Sequence, residues 1–388
     1  MFLLLVSFSI SFGAYFLREK LKQLNLAASQ LQQSSHADGF LEAVNLDIHQ
    51  WTWVPTFLKV YFIGVVETIY ITLCQRGLFK SSSTRSMNES HVDTLALGSK
   101  NDGSIAVITG GDSGIGLEIC RGLLDAGFHV IIGTHSVKSC EAVIDSLQKA
   151  TSSDKISSIQ LDLTNYQSVR DFVDQIQLKV PKKNIQLLIN NAGIMNTDYK
   201  ITDDGFESQC QTNFLSPMLL TRLLLPYISP KSGRVLFASS STLYTVKDLD
   251  LSVPLKKYGL NGLDHYAYSK SCIAQLVPRL AKTTPVKIYG KTTRYVTYHP
   301  GTVRTKLFST TTVFNLPLVS RIFHYIMLSP KEGCRTPLFL CLSKDVGDSG
   351  TYWANENQQT LPSVSVNGIV NNNEALWIDT MQKINLKK

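Results

Sequence analysis

The chain has 388 residues, 44% hydrophobic and 18% charged, a balance that excludes a disordered protein and leaves room for one large α/β domain with appendages or two ordinary domains. Residues 1–103 carry eight Lys+Arg against eight Asp+Glu and the remainder 30 against 22, so the net charge of +8 arises after residue 103; it is scattered without a basic run, which argues against a nucleic-acid partner. Seven cysteines, an odd number with no C-x-x-C spacing, indicate neither a zinc site nor a disulfide framework and fit a reducing compartment.

Phe2 to Leu17 is apolar or small throughout, and Arg18, Glu19, Lys20 and Lys22 come immediately after it. As a helix this run reaches about 24 Å, slightly short of the roughly 30 Å hydrocarbon core. A cleaved signal peptide competes with an uncleaved anchor, but a basic n-region and an A-x-A-like cleavage site are missing, so the anchor is preferred. Basic residues on its C-terminal side would hold the rest of the chain in the cytosol. The second apolar stretch, Trp51 to Cys74, is long enough to span but is interrupted by Lys59 and Glu67, each costing roughly 2.5–3.5 kcal/mol near a membrane midplane. Its aromatic residues suit an interface. An in-plane amphipathic helix is therefore the first reading, a true span the second, and a helix packed on the catalytic domain the third. Residues 1–80 are expected to be an attachment segment, and 81–103, opening with the polar Ser81–Ser90, a linker.

From Ser104 short apolar strands alternate with amphipathic helices. Strands are expected at Ile105–Thr109, Val130–Ile132, Ile156–Leu161, Ile185–Ile189, Val235–Ala238 and Tyr295–Tyr298. Helices are expected around Leu117–Leu124, Ser139–Ala150, Ser168–Lys179, Phe206–Tyr227 and Asp264–Ala281. This alternation implies a mostly parallel sheet covered on both faces. The first strand runs straight into Thr109-Gly110-Gly-Asp112-Ser113-Gly114-Ile115-Gly116. Glycine permits a sharp turn and close approach of backbone to a pyrophosphate, and the next helix offers unpaired N–H groups and its positive dipole end.

A Gly110-x-x-x-Gly114-x-Gly116 spacing resembles the short-chain dehydrogenase/reductase family, and further motifs occur in that family's order over about residues 104–355. Leu161-Asp162-Leu163 resembles the adenine-contacting step. Asn190-Asn191-Ala192-Gly193 resembles the element that steadies the sheet and lines the adenosine site, and His299-Pro300-Gly301-Thr-Val303-Arg-Thr305 the segment that closes over the nicotinamide. The resemblance implies a Rossmann-type doubly wound parallel sheet in one catalytic domain, residues 104–388, with an N-terminal membrane-associated helical extension.

Hydride transfer between an alcohol carbon and nicotinamide needs a group that takes the hydroxyl proton and returns it. A tyrosine serves only if its pKa falls from near 10 toward neutrality, and a cation nearby favours the phenolate. In Tyr266-Ala-Tyr268-Ser-Lys270, positions i and i+4 put Tyr266 and Lys270 on one helical face, while Tyr268 points elsewhere and is read as packing. The family places a serine after the fifth strand to polarise the substrate oxygen; aligning Ala-Ser-Ser selects Ser240 over Ser241, with Ser239 as a cap or packing residue. Asn213 resembles the family's helix asparagine that holds a water leading to the lysine, and a buried asparagine satisfying a helix kink is the alternative. After it, Ser216-Pro217-Met218 stands where relatives carry Gly-His-Phe, and the proline removes a helix donor. Lys270 is further expected to bond the nicotinamide ribose, and no metal is required.

The second strand ends at His135, where an acidic residue would mark NAD and a basic one would meet the 2′-phosphate of NADP. Lys138 and His135 favour NADP, and Asp112 pulls toward NAD. The strongly apolar Leu307–Leu328 segment resembles the roof of the retinol-dehydrogenase-like pocket, which implies a lipophilic alcohol and its carbonyl: a retinoid, a long isoprenoid alcohol or a sterol. A lid helix packed on the core is the alternative. The 26-residue interval from Ser240 to Tyr266 also resembles that group, including its X-chromosome-encoded dehydrogenase/reductase member. The implied setting is the endoplasmic reticulum or a lipid-droplet surface with the catalytic domain facing the cytosol, as a possible homodimer through the helices flanking the catalytic tyrosine. Two other readings stand beside it: a non-catalytic nucleotide-binding scaffold, and a soluble steroid or small-carbonyl reductase whose N-terminus only packs.

Overall fold

The computed structural model describes residues 39–75, 103–182, 184–283, 293–308, 326–344 and 346–385. Phe2–Leu17, the Ser81–Ser90 linker and residues 309–325 of the expected pocket roof lie outside the described residues.

Strand β1 (Ile105–Thr109) is wholly buried, as a central parallel strand covered on both faces requires. It pairs in parallel with β2 (His129–Thr134) on one side and β4 (Ile185–Asn190) on the other. Beyond β2 lies β3 (Ile156–Gln160); beyond β4 come β5 (Arg234–Ala238), β7 (Arg294–His299) and β8 (Thr351–Ala354), all parallel, with β9 (Asn357–Gln359) as an antiparallel edge. The order β3-β2-β1-β4-β5-β7-β8-β9 reverses direction between β1 and β4, the switch point outside whose carboxyl ends a doubly wound sheet binds its ligand. A small second sheet joins β6 (Asp248–Leu249), β10 (Ser365–Val366) and β11 (Ile369–Val370).

Helices α3 (Gly114–Asp125), α4 (Val137–Thr151) and α5 (Tyr166–Lys179) bury apolar stripes against the sheet, with Ser136 and Asn165 capping the N-termini of α4 and α5. The helical stretch expected over Phe206–Tyr227 is broken inside. A π-turn at Gln211–Leu215 joins a short turn to α6 (Ser216–Leu224), and Pro217, at the start of α6, supplies no N–H to the carbonyls of that widened turn. Helix α7 (Gly262–Thr283) carries the tyrosine motif and is buried almost all round. Helix α8 (Arg335–Leu342) backs the other face, with Leu338 against Gly122 of α3.

The Trp51–Cys74 stretch forms α2 (Thr56–Gln75), preceded by α1 (Gly39–Gln50); no helix among the described residues is long and apolar enough to cross a membrane. The pair packs on the catalytic domain, the third of the readings offered for it: Leu41, Val44, Ile48, Phe62, Ile63, Val66 and Ile71 share a core with Leu243, Tyr244, Val303 and Tyr352. Polar contacts pin α1 as well, with the His49 ring nitrogens 3.0 and 2.9 Å from the carbonyl oxygens of Tyr244 and Ser363. Lys59 and Glu67, the charges that interrupt the apolar run, are both buried inside this packing. At the other end, helix α9 (Asn373–Asn385) lies along α6 and α7, burying Leu376 and Ile384, and Arg279 pairs with Glu374 at 2.7 Å.

Candidate active site

The glycine string turns where the strand order reverses. Gly114 opens α3 at φ +55°, in the left-handed region that glycine adopts without penalty. A Cβ on Gly116 would stand 2.0 Å from the Gly110 carbonyl oxygen and 2.7 Å from Asn191 Nδ2, so the turn is closed to any side chain there. Ser113 occupies the N-cap position without capping, which leaves the first N–H groups of α3 directed into the crevice. Asn191 locks this turn to the end of β4: its amide donates to the carbonyls of Thr109 (3.1 Å) and Gly110 (3.2 Å). The N–H groups of Asn191 and Ala192 donate to Thr109 Oγ1 at 3.1 and 3.0 Å. The cradle opens into a cavity of about 400 Å³, shared with Tyr266 and Lys270 on one wall and Pro300 and Thr305 on another.

On α7, Tyr266 and Lys270 face the same cavity one turn apart, with the ammonium 5.6 Å from the phenol ring centroid. Lys270 Nζ donates to the Ala238 carbonyl at 2.8 Å. Ser240 lies beside the Tyr266 phenol, and its Oγ accepts from the Thr242 N–H at 3.3 Å, opening the short 3₁₀ turn Ser241–Thr245. Of its neighbours, Ser239 donates to the Lys270 carbonyl (3.0 Å), while Ser241 donates to Glu67 Oε2 (2.9 Å). Tyr268 is buried in the core on another face. Asn213 sits in the π-turn. Its Oδ1 accepts from the Ile194 N–H (2.9 Å) and its Nδ2 donates to the Ile194 carbonyl (2.9 Å) and Ser269 Oγ (3.1 Å), so it ties the widened helix to the Asn191–Gly193 segment and to α7.

Electrostatically the cleft differs from the sequence expectation. Burial pushes the Tyr266 phenol up to about 12; the Ser240 hydrogen bond lowers it and the negative charge of Glu67 raises it further. Burial likewise pushes the Lys270 ammonium down to about 7. The expected depression of the tyrosine by its lysine is therefore outweighed, because desolvation dominates both groups.

The structure brings most of the expected residues to this cleft and spreads the rest. Gly110, Ser113, Gly114, Ile115 and Gly116 line the cavity with Asn191, Ala192 and Gly193. Asn190 turns away, donating to Thr221 Oγ1 (3.2 Å) and the Leu236 carbonyl (3.4 Å), which makes it a brace inside the sheet. At the far end His135 is exposed, 3.7 Å from Asp162 Oδ2, with Lys138 exposed beside it on α4. Asp162 also accepts from the Thr164 N–H and hydroxyl at 2.8 and 2.7 Å, and Leu163 is buried. Asp112 is on the glycine turn and outside the cavity wall. Gly301 and Val303 lie behind Pro300, where Val303 packs against Gly333. Leu307, the first residue of the expected pocket roof, is on the wall; sequence reasoning missed Ile194, Met195 and Thr197 there and Glu67 behind it. The signal for Glu67 was a lone carboxylate in an apolar run.

The donor set fits a dinucleotide: a glycine cradle with uncapped N–H groups for a pyrophosphate, an ammonium for ribose hydroxyls, and a phenol beside them. Comparison with known proteins agrees with that geometry. The family model described as short chain dehydrogenase matches residues 104–313. The chain is 31% identical over 268 residues to "Short-chain dehydrogenase TIC 32 A, chloroplastic" of Brassica napus, covering 66% of this chain and 81% of that protein. It is 28% identical over 274 residues to the "Polyprenol dehydrogenase" of Homo sapiens, covering 68% and 80%. It is 32% identical over 258 residues to "Retinol dehydrogenase 12" of Bos taurus, covering 65% and 78%, and these similar identities single out no one member. Among solved structures, a putative uncharacterized protein from Mycobacterium Paratuberculosis superposes with a TM-score of 0.56 at 26% identity, covering 74% of this chain and 96% of that one. A glycine cradle at the switch point, a Tyr–Lys pair one helical turn apart and a family match spanning over half the chain have one reading: the protein belongs to the short-chain dehydrogenase family and is an oxidoreductase.

Proposed function

We propose that this oxidoreductase interconverts a lipophilic alcohol and its aldehyde or ketone with NADP(H) in preference to NAD(H), while attached to a membrane through Phe2–Leu17. The observation that carries the chemistry is Tyr266, beside Ser240 and one turn from Lys270, on the wall of the cavity that the glycine turn opens into. Once bound there, nicotinamide dinucleotide supplies or accepts the hydride. Gly110, Ser113, Gly114, Ile115 and Gly116 would hold its pyrophosphate, Asp162, Leu163 and Asn191–Gly193 its adenosine end, Lys270 its ribose, and Pro300–Thr305 its nicotinamide end. His135 and Lys138, exposed at the end of β2, are basic side chains suited to a 2′-phosphate.

Ser240 donates to the substrate oxygen and fixes its position, and Tyr266 takes the alcohol proton during oxidation and returns it during reduction. The Lys270 ammonium favours the phenolate; its role grows as ribose hydroxyls give the charged form acceptors, offsetting the burial that raises Tyr266. Asn213 holds the α7 segment against the Ile194 backbone, keeping the tyrosine and lysine in register with the nucleotide loop. The substrate class is supported by Ile194, Met195 and Leu307 on the cavity wall and by relatives named for polyprenol and retinol. The test is turnover of a panel of retinoid, isoprenoid and sterol alcohols by full-length protein and by Tyr266→Phe. Loss of roughly 10²–10⁴-fold in kcat with nucleotide affinity nearly unchanged is expected. Full activity in Tyr266→Phe would refute the proton path.

A further inference from the structure

Helix α2 precedes the family-matched segment, yet it delivers a carboxylate to the back of the cleft. Glu67 Oε2 accepts from Ser241 Oγ at 2.9 Å and from Thr302 Oγ1 at 3.3 Å, and Oε1 stands 2.6 Å from His299 Nε2. Ser241 is next in sequence to Ser240, and His299 and Thr302 bracket Pro300 and Gly301. One buried side chain therefore bridges the two loops that the reaction needs at a fixed separation. We propose that Glu67 is a positioning residue of this active site, fastening the serine turn to the Pro300-Gly301 loop and making the α1–α2 hairpin an integral part of the catalytic unit.

Packing alone does not call for an acid here. Phe62, Ile63, Val66 and Ile71 already hold α2 by apolar contact, and a hydrophobic residue at 67 would avoid the desolvation cost of burying an ion. A carboxylate, by contrast, accepts from several donors at once, which is what a three-way tie demands. Burial by itself raises the Glu67 carboxyl, but the His299 imidazole and the hydrogen bonds from His299, Ser241 and Thr302 more than offset this and hold it below the usual carboxylate range. It is thus the anion that makes the tie. The charged and titratable groups facing Tyr266 are Lys270 from its own helix, Glu67 from α2, with His299 of β7 against that carboxylate, and Tyr352 of β8.

The inference rests on the oxidoreductase reading, and its test separates the two. In full-length protein, Glu67→Gln removes the charge and weakens the tie, Glu67→Asp keeps the charge but shortens the reach, and Ser241→Ala cuts one strand of the tie without touching α2. Expected are a fall of about 10–100-fold in kcat for Glu67→Gln and a smaller one for Ser241→Ala, with nucleotide Kd changed less than about threefold. The rising, acid-side limb of the alcohol-oxidation profile should move to lower pH by about one unit in Glu67→Gln, because a negative charge near Tyr266 is gone and the phenolate forms more readily. Glu67→Asp should restore the profile and leave kcat low, a split that a purely structural role does not produce. Wild-type kcat and an unmoved profile in folded Glu67→Gln would overturn the proposal. Hydrogen exchange gives a readout that needs no turnover: faster exchange at 240–245 and 301–304 in Glu67→Gln is expected. Unchanged exchange there refutes the tie, whereas faster exchange in that variant, with a wild type that oxidises no alcohol, refutes only the functional reading.

Discussion

Nucleotide binding should drive a proton onto Lys270. In the free protein, burial holds its ammonium down to about 7, and Nζ donates to the Ala238 carbonyl at 2.8 Å. Ribose hydroxyls accepting from Nζ favour the charged form and return its pKa toward about 10.5. A group of pKa about 7 is roughly one-tenth charged at pH 8, so binding at that pH takes up about 0.9 proton, falling to about 0.5 at pH 7 and 0.1 at pH 6. Linked to affinity, Kd should weaken about fivefold from pH 7 to 8 and nearly tenfold for the next unit. The same shift bears on stability. Because the folded pKa lies below the unfolded one, the unfolded chain binds more protons between about pH 7 and 10.5, and this group makes the nucleotide-free protein more stable as pH rises through that window. Calorimetric titration with NADPH at pH 8 in two buffers of different ionisation enthalpy reads the uptake directly, and Lys270→Met should abolish it. A binding enthalpy independent of buffer at pH 8 would refute the reasoning.

Lys138→Glu should raise the KM for NADP relative to NAD by about tenfold, since it puts a negative charge where a 2′-phosphate is expected; equal effects on both nucleotides in steady-state assays would count against the preference. Gly116→Ala should abolish nucleotide binding, measured by quenching of protein fluorescence, because its Cβ would enter the Gly110 carbonyl at 2.0 Å. A chain cut to 104–388 should aggregate on expression. It would uncover the partners of Leu41, Val44, Ile48, Phe62, Ile63, Val66 and Ile71, whose burial is worth at most roughly 10–20 kcal/mol against a typical total stability of about 5–15 kcal/mol; a soluble, cooperatively melting fragment would contradict this. Carbonate extraction should leave the full-length protein in the membrane fraction, and release into the supernatant would remove the anchor.

Local physics was enough to read the parallel sheet, the glycine turn and the Tyr266–Lys270 pair from the chain itself. Strand alternation, glycine conformational freedom and i, i+4 spacing act over a few residues, and the sheet order places their products together. Asn190 and Asn191 are adjacent and alike in the sequence, but only the fold turns one into the sheet as a brace and the other onto the glycine turn, because successive strand residues face opposite ways. The π-turn around Asn213 is likewise invisible to a helical pattern, since widening by one residue preserves the apolar stripe on either side. Glu67 shows the limit most clearly: along the sequence a carboxylate in an apolar run reads as an interruption that weakens a membrane span. Its meaning depends on His299, 232 residues away, and on Ser241 and Thr302, which only the tertiary fold brings within hydrogen-bonding distance.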